Sequence, residues 1–153
     1  MKKATTMFYL LAVFFVLAGC GGSGAGSCSF STLETAAFNL DGTVWSLSGT
    51  TPSNDCPSPT TSFTGSGTFS QSGNTLTATS SGISLTGQIS GSQVKFAGNL
   101  AVGTETITID CTTATLTTNA VGSTFSYTGA TWTSVHSSGS CSGTSNGTFT
   151  RTQ

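Results

Sequence analysis

Three observations predict that this chain is all-β, a small antiparallel up-and-down barrel of about eight strands. Apolar residues alternate with serine, threonine or glycine at period two through most of the chain beyond Leu40, as in Ile83-Ser84-Leu85-Thr86-Gly87-Gln88-Ile89. That is the rhythm of a strand with one buried face. Turn signals such as Ser72-Gly73-Asn74, Ser81-Gly82 and Gly91-Ser92 recur at short intervals, so consecutive strands become antiparallel neighbours. Helical periodicity is missing outside the N-terminal apolar run, where a signal helix is expected. A β-sandwich is the alternative architecture.

The elements follow in order. Trp45 and Leu47 alternate with Val44, Ser46 and Ser48 in the first strand. A loop over 50–61 holds Cys56 and all three prolines, Pro52, Pro57 and Pro59, which suit a loop better than a paired strand. Phe63, Gly65, Gly67 and Phe69 share one face of the next strand. Leu76 and Ala78 follow, then Ile83, Leu85, Gly87 and Ile89, then Val94, Phe96 and Gly98. Ile107, Ile109 and Cys111 alternate on one face, succeeded by Ala114 and Leu116. After a turn over 119–122 come Phe125, Tyr127 and Gly129. A Ser/Gly loop carrying His136 and Cys141, closed by an Asn146-Gly147 turn, leads to a last strand over 147–151 centred on Phe149.

Glycine falls on the expected inward face at Gly65, Gly67, Gly87, Gly98 and Gly129. Inward glycines permit the sharp coiling that closure demands, which favours the barrel. Closure also removes the open edges that a charge-poor chain has few means of protecting.

Charged residues make up only 6% of the chain, against about 25% in an ordinary domain. In their place stand 25 serines and 31 threonines. Recurrent Phe, Ile, Leu, Val and Trp separate this composition from a disordered Ser/Thr stalk, and threonine is a good strand former. Beyond Lys3 the bases are Lys95 and Arg151, facing five acids. Such a chain has no electrostatic footprint for nucleic acid or anionic headgroups.

The N-terminus carries the most specific signal. Met1-Lys2-Lys3, an apolar run from Met7 to Leu17, and Leu17-Ala18-Gly19-Cys20 have the layout of an export signal with small residues before the cut. The run falls short of the about 20 apolar residues a membrane span requires. Leu17-Ala18-Gly19-Cys20 resembles a bacterial lipobox. The resemblance implies cleavage before Cys20, lipidation of its sulfur, and further acylation of the new N-terminus. Two or more acyl chains hold a protein stably on a membrane. Residues 1–19 are then a lipoprotein signal peptide, 20–29 a flexible Gly/Ser tether and 30–153 a single β domain. By the same analogy, glycine rather than aspartate at position 21 implies delivery to the outer membrane of a bacterial envelope.

With Cys20 lipidated, Cys28, Cys56, Cys111 and Cys141 remain, an even number in an exported chain, and read as two disulfides. In a closed barrel with an even number of strands the first and last strands are antiparallel neighbours. The loop after the first then lies beside the loop before the last. Cys56 and Cys141 occupy those two loops, which predicts Cys56–Cys141 and leaves Cys28–Cys111. Zinc is not expected, since the cysteines form no CxxC and a single histidine supplies no ligand pair.

An enzyme is not expected either. Glu105 and Asp110 sit five apart on one strand and face opposite sides, Asp41 precedes a glycine in a turn, and Asp55 falls in the proline loop. Acid–base hydrolysis needs two carboxylates facing across a cleft. A serine triad would depend wholly on His136, in a loop. No cofactor is implied.

The aromatic residues remain as candidate contacts. Trp132 is out of phase with Phe125 and Tyr127. It faces outward as a partner or glycan contact, unless a bulge at Gly129 resets the phase and returns it to the core. Trp45 and Tyr127 are the other candidates. Gly42-Thr43-Val44-Trp45 resembles the Gly-x-Trp start of lipocalin and avidin-type barrels, with one extra residue before the tryptophan. That resemblance implies a small apolar ligand held in the barrel mouth. The functional expectation is therefore a lipid-anchored, non-enzymatic binding or interaction module of the cell envelope, with a protein or glycan partner. The alternative is a lipocalin-like carrier. A hollow interior favours the carrier, a filled one with an exposed aromatic patch favours the module, and two carboxylates converging in a cleft favour an enzyme.

Overall fold

The computed structural model describes residues 28–56, 62–102, 105–136 and 139–153. The expected signal peptide, Cys20 and the tether up to Ser27 lie outside them. Eight strands are present: β1 Val44–Asn54, β2 Ser62–Ser72, β3 Thr75–Ser80, β4 Ile83–Ser90, β5 Gln93–Val102, β6 Glu105–Thr115, β7 Thr124–His136 and β8 Gly139–Arg151. Each pairs antiparallel with the next, and β8 returns to pair with β1, closing the barrel. The architecture is the up-and-down barrel rather than the sandwich. Its near end carries the β2–β3, β4–β5 and β6–β7 connections; its far end carries the other four.

Inward positions alternate large and small across the strands. Trp45 is paired with Gly67, Leu47 with Gly65 and Phe63 with Gly49. Phe96 and Leu76 both face Gly87, and Leu85 faces Gly98. Tyr127 faces Gly147. A methyl group on Gly49 would collide with the Phe63 ring, and one on Gly147 with the Tyr127 ring. Large beside small is how a narrow barrel fills its taper. At the centre Phe149 stacks on Phe125 (centroids 4.7 Å, planes at 15°) and meets Phe96 edge-on at 5.5 Å. Phe69 and Tyr127 approach it at 6.2 and 6.3 Å.

Three register shifts occur, one of them in β1 between Thr50 and Ser53; the other two shift the phase that sequence alternation implies. On β6 the pairing jumps from Phe96↔Thr112 to Gly98↔Ile109, so β6 carries one extra residue. Ile107 and Ile109 are buried before the jump and Ala114 and Leu116 after it. Cys111 is therefore not on the inward face with the isoleucines, as the alternation predicts, but is exposed on the outer wall. On β7 the pairing jumps from Tyr127↔Gly147 to Ala130↔Ser145. Gly129, expected on the inward face, is exposed in this bulge with φ 66°, a backbone that glycine adopts at no steric cost. Three boundaries also move. β1 runs on to Asn54, so Pro52, expected in the loop, is a strand residue. His136 ends β7 instead of lying in a loop, and β8 starts at Gly139, so Cys141 and Asn146-Gly147 are strand residues.

Residues 28–43 form a strap without strand pairing. It begins on the outer wall, where Cys28 is bonded to Cys111 and the Lys95 ammonium lies 4.8 Å from the Phe30 ring centroid. It then crosses the near end. Glu34 N–H donates to the Ser90 hydroxyl (2.8 Å), Ala37 N–H to the Gly91 carbonyl (2.7 Å) and Leu40 N–H to the Gln71 side-chain carbonyl (2.8 Å). Leu40 is fully buried and plugs that end. Below it the Trp45 indole donates to the Thr43 hydroxyl (2.8 Å), which donates to the Leu40 carbonyl (2.6 Å). The second disulfide joins Cys56, just past β1, to Cys141 on β8 at the far end. Both pairs are those the closure argument predicts.

Truncating Phe149 to alanine removes the ring around which the others pack. Denaturant unfolding of F149A is expected to show a loss of about 3–5 kcal/mol. The Cys56–Cys141 bridge closes a chain segment of 85 residues. The paired variant Cys56→Ser/Cys141→Ser should lose about 4–5 kcal/mol on the loop-entropy account, read from the same unfolding curves.

Candidate functional site

Among the described residues the carboxylates lie on separate parts of the fold. Glu34 and Asp41 belong to the strap, where Asp41 accepts from the Gln71 N–H (3.1 Å). On β6, Asp110 faces out and accepts from the Thr131 hydroxyl (2.6 Å). Asp55 accepts from the Ser142 N–H and hydroxyl at the far end. Asp55, Cys56 and Cys141 do gather within 4.8 Å. Both sulfurs are joined to each other, though, so the cluster offers one carboxylate, already engaged, instead of thiolate ligands.

The three aromatic candidates all lie inside the barrel. Trp45 and Tyr127 are 1% exposed, and Trp132 is 2% exposed. The outward reading of Trp132 is thereby corrected. The bulge at Gly129 turns it inward, opposite Ile109 on β6 and Gly143 on β8. Trp45 has its indole N–H satisfied by Thr43. The Trp132 indole N–H and the Tyr127 hydroxyl find no partner among the described residues. Burial pushes the Tyr127 phenol up to about 12, with the neighbouring Ser145 hydroxyl opposing the shift. Ser145 is the phenol's polar neighbour, and its hydroxyl points to the Ala130 carbonyl (3.4 Å).

Sequence alternation gives no sign of a concavity that lies on the outside of the wall. An open groove of about 560 Å³ runs over β2, β1, β8 and β7. Gly49 and Gly147, register partners across the β1–β8 seam, form its floor. With no side chain on either, the wall there is one backbone thick, and the inward Phe63 and Tyr127 rings reach the floor from beneath. Ser48, Thr50, Thr64, Thr128, Asn146 and Thr148 stand around it. Asn146 is held by the Gly129 N–H, which donates to its side-chain carbonyl (2.8 Å), so the β7 bulge fixes one wall. Thr148 shares a 2.8 Å hydrogen bond with Ser126. The Ser48, Thr50 and Thr64 hydroxyls make no such bond to any described side chain. Apart from the Tyr127 phenol, no lining residue is ionisable.

The site and fold together define a closed eight-stranded barrel with a filled interior and an outer groove walled by serine, threonine and asparagine. No family model, curated protein or solved structure matches the chain.

Tyr127 gives a direct test of the buried phenol. Removing an unpaired buried hydroxyl while keeping the ring is nearly neutral or stabilising. Tyr127→Phe should therefore unfold at the wild-type denaturant midpoint or above it at pH 7. The folded-state pKa lies above the ordinary value of 10, so the neutral phenol's contribution is whole below pH 10. It is lost as pH climbs from 10 to 12, by about 2–3 kcal/mol. Unfolding curves across that window should show the loss in wild type and its absence in Y127F.

Proposed function

We propose that this protein is a lipid-anchored component of a bacterial cell envelope that acts as a non-enzymatic binding module, with the outside of the barrel as its working surface. The observation that carries this reading is the filled interior. A carrier of lipocalin type holds its ligand between the walls, and here Phe149 and the rings around it occupy that space. The plug at Leu40 and the strap close the near end. Support for the anchor comes from Leu17-Ala18-Gly19-Cys20 after a short apolar run. Cys28 then joins the domain only eight positions beyond Cys20, which keeps the barrel close to any lipid carried there.

Metabolic labelling with an alkyne-bearing palmitate tests the anchor. The label is expected on the full-length protein and is lost in Cys20→Ser, which moves from the membrane to the soluble fraction. Label retained in C20S refutes the anchor. Native mass spectrometry tests the interior. The detergent-extracted protein is expected at its bare lipidated mass with two disulfides. A co-purified small molecule that leaves on denaturation replaces the module with a carrier.

A further inference from the structure

We infer that the groove over Gly49 and Gly147 is a binding site for a neutral glycan, a short stretch of uncharged sugar units. This assignment rests on the binding-module reading.

The chemistry of the walls selects the ligand class. Ser48, Thr50, Thr64 and Thr148 present hydroxyls that donate and accept, and Asn146 presents an amide. Sugar hydroxyls have the same dual character, so the two sets can pair without a fixed charge on either side. An anionic or cationic ligand would find no counter-charge among the lining residues and would lose hydration uncompensated. An apolar ligand would strip water from those hydroxyls and return no hydrogen bond. Nucleic acid is disfavoured for want of any basic residue at the groove.

The groove's volume of about 560 Å³ falls within the roughly 300–1,000 Å³ typical of small-ligand sites.

Position agrees with chemistry. The groove is centred on the β8–β1 seam, and the strap lies on β4, β5 and β6 through Gln88, Lys95 and Cys111. In an eight-membered ring the β4–β5 wall is opposite the β8–β1 wall. The groove therefore faces away from the side where the chain's N-terminal segment joins the barrel.

The test uses full-length protein extracted in a detergent without a sugar headgroup, from a preparation whose Cys20 label and bare mass are already established. It is applied to a printed array of neutral gluco-, galacto-, manno- and N-acetylhexosamine oligosaccharides alongside uronic-acid and sulfated ones. Retention of at least one neutral oligosaccharide, unchanged by raised salt, is expected. Thr64→Arg and Thr50→Arg place a long charged side chain at exposed wall positions and should weaken it more than tenfold. Thr86→Arg, exposed on the opposite wall, should leave it unchanged. Retention of anionic glycans alone, no retention at all, or wild-type binding by T64R and T50R overturns the assignment and leaves the module reading standing. A small molecule inside the barrel overturns both.

Discussion

Everything in this barrel depends on the pairing of large inward side chains with glycines across the strands. An eight-stranded barrel has an interior just wide enough for its own side chains to fill. In this chain the filling is done by aromatics of unequal size, so each needs a small residue opposite. Trp45 over Gly67, Phe63 over Gly49, Tyr127 over Gly147 and Phe96 over Gly87 meet that need. The same glycines that make room inside also thin the wall. Where two of them meet, at Gly49 and Gly147, the outer surface dips into a groove. A side chain at either glycine would point inward, into the Phe63 and Tyr127 rings, and would leave the groove itself open.

Much of this was legible in the sequence because a strand's side-chain period is an integer. Ile83, Leu85, Gly87 and Ile89 face one way in the sequence pattern and in the barrel. The turns at Gly73-Asn74, Ser81-Gly82 and Gly91-Ser92 fall where their residue types place them. The disulfide pairs were legible for a topological reason that survives errors of boundary. Cys141 lies on β8 and not in a loop, yet closure still sets the end of β1 beside the start of β8.

What alternation could not locate were single-residue slips. A bulge adds one residue and reverses the face of everything beyond it. On β6 the slip turned Cys111 out, where it can meet Cys28; on β7 it turned Trp132 in. Gly129 marked the second slip, since its left-handed backbone suits a bulge. The first slip has no glycine of its own and left no signal in β6. Nor was the groove legible, because it arises from wall curvature and from two glycines 98 positions apart that become neighbours only on closure.

The exterior follows from how the interior solves its problem. With charges so scarce, threonine and serine keep the outer wall wet, and closure leaves no free edge for another chain to pair with. Hydroxyls hydrate a surface but do not repel a partner as like charges do, so such a wall can be approached closely by an uncharged polar surface. The few charges are placed where they organise the fold's own ends: Asp41 at the β2 turn region, Asp55 at the β1–β8 end, Lys95 against Phe30 and Ser29 of the strap. Arg151 likewise donates to the carbonyls of Asn119 and Gln153 at the near end. The β8–β1 wall is left without any of them across the groove. One side of the molecule is tied by the strap, Lys95 and the Cys28–Cys111 bridge; the other is pinned at its ends by Cys56–Cys141, Asp55 and Arg151 and carries hydroxyls over a glycine floor between them. That asymmetry gives an otherwise uniform barrel a front and a back.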